Sequence, residues 1–125
     1  MKPKVCTSIE QSYKLLELGL SSNTADMVWI NLGYCNRLLP KDDVDVASYQ
    51  IIQPAWSLST LLSLMPYELQ DNHFLTLDKE ADEYCCCYED VNGNSFTYFF
   101  AKDAVDAVFE MVVYLLEQGL IKKEE

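Results

Sequence analysis

The sequence predicts an α+β fold in a single domain spanning residues 1–125. Three observations carry that expectation. The 125-residue chain is half hydrophobic and 12% aromatic, amphipathic helical patterns stand at both ends, and an Asn-Gly hairpin signal joins two strand-like runs between them. A chain of this length suits one domain, and its composition supplies a core rather than disorder. No repeat, low-complexity tract or Pro/Gly/Ser linker divides it.

The elements follow in order. A first helix is predicted over about Thr7–Leu18, with Thr7 and Glu10 at capping-box spacing and Gly19 suited to the left-handed position past the last turn. Ile9, Tyr13, Leu16 and Leu20 fall on one helical stripe, and Glu10 and Lys14 pair on the outside. "ADMVWINL" (Ala25–Leu32) and "VASYQII" (Val46–Ile52) read as strands. The polar segment "GYCNRLLPKDDVD" connects them, and Pro54 ends the second. "SLSTLLSLM" makes a short middle helix capped by Ser57 and closed by Pro66. "HFLTL" (His73–Leu77) is a third strand.

"EYCCCYEDVNGNSFTYFF" (Glu83–Phe100) then forms a hairpin, giving an antiparallel meander. Asn92-Gly93 is the preferred dipeptide for a two-residue type I′ turn. In that register Glu89 faces Phe96, Cys87 faces Tyr98 and Cys85 faces Phe100; on the opposite face Tyr88, Cys86 and Tyr84 meet Thr97, Phe99 and Ala101. Both faces carry aromatic and thiol side chains, so both are expected to be covered. A long C-terminal helix over about Asp103–Gln118, ended by Gly119, supplies one cover. Its acidic residues Asp103, Asp106, Glu110 and Glu117 occupy a narrow stripe, and apolar residues fill the remainder. Such a helix belongs between layers or between subunits.

Charge and cysteine usage narrow the function. The net charge of −11 argues against direct nucleic-acid binding, which needs clustered Lys and Arg. Acidity peaks between Glu68 and Asp90, where Lys79 is the sole cation. Asp78, Glu80, Asp82, Glu83, Glu89 and Asp90 form a candidate acidic interaction face. Five cysteines, an N-terminus unlike a secretory leader and the lack of a long apolar run point to a cytoplasmic protein with free thiols and no membrane association.

The cysteine triplet Cys85-Cys86-Cys87 invites a chemical reading and resists it. In a strand, Cys85 and Cys87 lie about 6.6 Å apart with parallel side chains, while tetrahedral zinc needs its sulfurs under about 4 Å from one another. Neighbouring thiols on opposite strand faces do not bridge. Cys6, Cys35 and the lone His73 have no metal-ligand spacing. A calcium loop starting at Asp78 fails at Glu83, where glycine is required. His73 as base for a cysteine nucleophile has no geometry behind it. Tyr34, Tyr49, Trp56 and Tyr67 are candidates to line a ligand groove, although Trp29 and Trp56 fit core anchors better. No catalytic, cofactor-binding or metal-ligating residue is assigned, no cofactor is expected, and the thiols read as packing residues.

Three stretches, "CTSIEQSYKLLELGLSSNTADMVW", "PAWSLSTLLSLMP" and "DAVDAVFEMVVYLLEQGLI", together close to half the chain, resemble a family of small uncharacterised proteins of Bacteroides-type bacteria and their prophages or mobile elements. The resemblance implies a bacterial or prophage origin and an accessory role, and transfers no functional residue. The expected function is that of a non-enzymatic cytoplasmic protein-interaction protein with an unknown protein partner, homodimeric through the C-terminal helix or the hairpin. The alternatives are an acidic decoy or inhibitor of a basic nucleic-acid-binding host protein, and a small-ligand or metal-binding domain.

Overall fold

Helices close both ends of the described chain, residues 3–43 and 50–122 of a computed structural model, and two antiparallel sheets lie between them. The order is α1 (Ile9–Glu17), β1 (Met27–Asn31), β2 (Asn36–Pro40), β3 (Gln50–Ala55), α2 (Leu58–Leu64), β4 (Glu68–Leu69), β5 (His73–Glu80), β6 (Glu83–Glu89), β7 (Ser95–Ala101) and α3 (Ala104–Glu117). The smaller sheet runs β2-β1-β3 and the larger β4-β5-β6-β7. This is the α+β arrangement the sequence predicts, with the meander extended to four strands. Among the described residues no helix is long and apolar enough to cross a membrane.

Helix α1 is capped one residue later than its sequence spacing indicates. Ser8 is the N-cap, and Ser8 and Gln11 make the reciprocal capping box at 3.1 and 2.9 Å. Thr7 is diverted inward instead. Its hydroxyl lies 2.8 Å from Ser12 Oγ and accepts the Trp56 backbone N–H at 3.1 Å, while its carbonyl accepts the Trp29 indole N–H. That shift turns the helix, so Ser12 and Leu15 are buried and Tyr13 is exposed rather than part of the inner stripe. Glu10 and Lys14 do not pair; the one ion pair among the described residues is Lys4–Asp106 at 2.8 Å. Gly19 takes φ 99° as expected, and the Leu20 N–H closes back on the Leu15 carbonyl.

The segment read as a polar connection contains a strand. β2 pairs with β1 from Met27↔Pro40 to Asn31↔Asn36, around a turn in which the Asn31 carboxamide oxygen accepts the Gly33 N–H at 2.7 Å. Leu38 and Leu39 are the strand signal that the surrounding charges mask. Pro54 does not end β3, since it pairs with Val28; β3 is an edge strand, where a proline lacks no inter-strand partner. Val46–Tyr49 of the predicted strand lies outside the described residues. α2 keeps its predicted limits, with Ser57 accepting the Thr60 N–H.

The β6–β7 hairpin keeps its predicted register from Tyr84↔Ala101 to Tyr88↔Thr97, then slips: Glu89 faces Ser95, not Phe96. The turn is the cause. The Asp90 carboxylate accepts the N–H groups of Asn92 and Asn94, both at 2.9 Å, and the Gly93 N–H returns to the Asp90 carbonyl at 3.0 Å. Only Gly93 of the predicted pair has positive φ, so the turn is a longer, bulged one rather than type I′. Paired positive φ values occur instead at Asp71 and Asn72, between β4 and β5.

β5 and β6 are joined through Ala81-Asp82, with Glu80 facing Glu83 and Ala81 at φ 55°. A β-carbon in that conformation costs on the order of 1 kcal/mol. Ala81→Gly is therefore expected to stabilise the fold by about 0.5–1 kcal/mol, part of the relief being offset by glycine's greater freedom when unfolded. Urea unfolding measures it, and a midpoint that stays or drops would show the turn to be unstrained.

α3 is the wedge. Val105, Ala107, Val108, Phe109, Met111, Val112, Leu115 and Leu116 are all buried. One side packs on β6 and β7 and another on α2, joining Tyr88, Cys86, Trp56, Leu61, Leu15 and Ile121 in a single core. The near-circumferential apolar surface of this helix is thus satisfied by layers of its own chain. Asp103 caps α3 by position only, its carboxylate accepting the Lys4 N–H at 3.3 Å. Asp106 takes the Lys4 ammonium and the Gln11 side-chain amide, both at 2.8 Å, which ties the N-terminal segment to the last helix.

Candidate functional site: the outer face of the larger sheet

Side chains alternate along each strand, and α3 takes one set: Leu75 and Leu77 of β5, Tyr84, Cys86 and Tyr88 of β6, Phe99 and Ala101 of β7. The other set forms the outer face, and no helix of the described chain packs over it. Its rows follow the pairing. Phe74 stands beside Glu68 and Glu89, Thr76 beside Cys87 and Tyr98, Asp78 beside Cys85 and Phe100, and Glu80 beside Glu83. The expectation of a second covering layer is therefore not met among the described residues. Tyr98 and Phe100 are 58% and 47% exposed and meet edge to face at 5.7 Å. Tyr67, still more exposed, tilts over Phe74 at 5.4 Å.

The two outward thiols lie beneath this surface. Cys85 and Cys87 are buried at the floor of a shallow trough of about 400 Å³, whose walls include Asp78, Glu80, Glu89, Tyr98 and Phe100. Cys87 Sγ sits 2.9 Å from the Thr76 hydroxyl. Burial, then the neighbouring Cys87, then Glu80 and Asp78 push the Cys85 thiol up to about 11. On the inner face, burial pushes Cys86 up to about 12, and near the N-terminus burial and Asp26 push Cys6 up to about 11. Reactive thiols sit in electropositive, accessible places; Cys6, Cys85 and Cys86 sit in the reverse. They are protonated packing groups at neutral pH.

The six candidate acidic residues separate into two sets. Asp78, Glu80, Glu83 and Glu89 are brought together on the outer face. Asp82 occupies the β5–β6 turn. Asp90 is a turn-former: the N–H groups of Asn94 and Asn92 hold its carboxyl below the usual range. Lys79, the one cation of the segment, points away from this face with its ammonium 5.5 Å from the Tyr84 ring. The outer face thus carries Glu68, Asp78, Glu80, Glu83 and Glu89 with aromatic rings between them and no basic side chain among its paired strand residues.

The remaining candidates do not assemble. Among the described residues no group of three or more His, Cys, Asp or Glu side chains is placed to hold a metal. Cys35 is exposed in the β1–β2 turn, Cys6 is buried beside Thr7, and His73 packs near Phe96 with Nδ1 3.2 Å from the Gln70 carbonyl. Tyr34 and Tyr67 are exposed and far from forming a groove with Trp56, which is fully buried; Tyr49 lies outside the described residues. Comparison with protein-family models, curated proteins and solved structures gives no match. The face is read from its own chemistry.

Tyr98 and Phe100 are the surface residues that sequence reasoning assigned to covered positions. A usable signal was present. Glu83 and Glu89 share a parity with Cys85 and Cys87, and Asp78 and Glu80 share one on β5; carboxylates at alternate positions mark a face in contact with water.

Proposed function

We propose that the protein is a non-enzymatic protein-interaction domain, an accessory protein of bacterial or prophage origin, and that the outer face of the larger sheet docks a basic protein segment. The observation that supports this is the composition of that face: five carboxylates interleaved with exposed aromatic rings, without a cation among the paired strand residues. A Lys or Arg side chain laid over Tyr98 or Phe100 gains a cation–π contact, and flanking carboxylates meet its charge. The decoy reading uses the same face and differs only in its partner, a nucleic-acid-binding protein, in which case nucleic acid competes for that partner.

The test is binding of an arginine- and lysine-rich peptide, with two variants of equal charge change. Reversing Asp78, Glu80, Glu83 and Glu89 to lysine should weaken binding at least tenfold. Reversing Glu10, Glu17, Glu110 and Glu117, which lie on the helices, should weaken it less than threefold. Binding to the wild type should fall steeply with salt. Equal losses in both variants would reduce the face to a general solubilising charge.

A further inference from the structure

The backbone of β7 carries a second surface, distinct from the side-chain face just described. β7 is the last strand of its sheet, with β6 on one side and no strand among the described residues on the other. Edge strands are normally blunted by proline, by lysine, by shortness or by a covering element, because unpaired N–H and C=O groups template further pairing. Apart from a bulge at Phe96, Ser95–Ala101 uses none of these devices. It is seven residues long, reads SFTYFFA, and contains no charge, proline or glycine. The opposite edge is β4, only two residues long and one of them Glu68, followed by the charged end of β5, Asp78–Glu80. One edge of this sheet is protected and the other is not.

From this asymmetry we infer that β7 pairs antiparallel with β7 of a second copy, extending the four-stranded sheet to eight strands across a two-fold axis. The regular part of β7, beyond the slip near Glu89, is Thr97–Ala101. Centred on Phe99 it is self-complementary: Tyr98 of each copy stands opposite Phe100 of the other, and Thr97 opposite Ala101. The outer-face pairs are aromatic, continuing across the axis the Tyr98–Phe100 contact already present within the chain.

Charge permits this occupant despite −11 per chain. The nearest acidic outer-face residues, Glu83 and Glu89, lie on β6. Across the axis they are three strand spacings apart, about 14 Å, beyond the screening length of about 8 Å at physiological salt. A basic foreign strand gains nothing from β7 itself, which has no carboxylate to meet it. The dimer would set two acidic faces side by side on one continuous sheet.

Sedimentation or light scattering of the protein alone tests the inference, with no partner present. At about 100 µM and 0.3 M salt the mass should be twice the 14.3 kDa of the chain. Association should tighten as salt rises, opposite in sign to capture of a basic peptide, so failure of either reading is told apart from failure of the other. Phe100→Lys should raise the dissociation constant at least tenfold with an unchanged circular dichroism spectrum. In a Cys35→Ser, Cys85→Ala, Cys87→Ala background, which removes the thiols that face these positions within the chain, a mixture of Tyr98→Cys and Phe100→Cys proteins should form a mixed disulfide under mild oxidant, and Ser95→Cys alone should form none. A monomeric wild type under these conditions, or cross-linking of Ser95→Cys as fast as of the mixed pair, would overturn the pairing.

Discussion

Trp56→Ala is expected to remove roughly 3–5 kcal/mol of stability, a large share of the roughly 5–15 kcal/mol that a native domain has to lose. Trp56 is fully buried between β3 and α2, so truncation leaves a large cavity where both sheets meet the helices. The residue is also a junction of hydrogen bonds. Its indole N–H donates to Thr24 Oγ1 at 2.9 Å and its backbone N–H to Thr7 Oγ1 at 3.1 Å. Its carbonyl accepts the Thr7 N–H at 2.9 Å. Trp56→Phe keeps most of the volume and loses the indole bond, and should cost about 1–2 kcal/mol more gently. Urea unfolding of the two variants checks the order. A loss below about 1 kcal/mol for the alanine variant would show that this junction does not hold the two sheets together.

The second large effect concerns the thiols. In the native state one cysteine of the five, Cys35 in its exposed turn, should react quickly with an alkylating reagent; Cys6, Cys85, Cys86 and Cys87 are buried and should react only as fast as the protein opens. All five should react at once in concentrated urea, and mass spectrometry of the labelled peptides counts them. The same burial sets a pH dependence. Folded Cys6 and Cys85 release their protons near 11 and Cys86 near 12, against about 9 for an ordinary thiol. The folded chain therefore binds these protons more tightly than the unfolded chain does. Their contribution to stability is complete below pH 9 and is lost as pH rises toward 11–12. The urea midpoint should fall between pH 9 and pH 10.5. In Cys86→Ala it should start lower at pH 7.5 and fall less steeply. Rapid native labelling of Cys85 or Cys86, or identical slopes for the two proteins, would contradict the buried, protonated assignment.

Local signals located most elements because each rests on chemistry confined to a few residues. Gly19 and Gly119 ended their helices in the left-handed conformation, at φ 99° and 72°, and Ser57 with Pro66 framed α2. The hairpin register survived an incorrect turn type, since alternation over Tyr84–Tyr88 and Thr97–Ala101 is insensitive to how the loop closes. Errors arose where a distant partner competes for a local group. Thr7 reads as a cap until Trp56 and Ser12 claim its hydroxyl. Asn92-Gly93 reads as a type I′ turn until the Asp90 carboxylate gathers two N–H groups into a longer one. β2 was hidden because Arg37, Lys41 and Asp42 crowd Leu38 and Leu39, and only pairing with β1 makes that stretch a strand.

The candidate site divides along the same line. Alternate carboxylates at Asp78, Glu80, Glu83 and Glu89 were visible in the sequence as an acidic run, and the buried character of the thiols followed from their setting among aromatic residues. Which aromatic rings lie under α3 and which face water was missed. Both parities of the hairpin carry them, and only the carboxylates that share the parity of Cys85 and Cys87 tell the two apart. By itself the sequence determined the α+β class, the limits of α2, the glycine ends of α1 and α3 and the packing role of the cysteine triplet, all consequences of backbone geometry and transfer free energy acting over short spans. Only the tertiary structure decided that α3 has a single sheet face to cover, leaving the other bare: a helix of fixed length and one apolar circumference packs against one side of a sheet, and no second helix remains for the opposite side among the described residues.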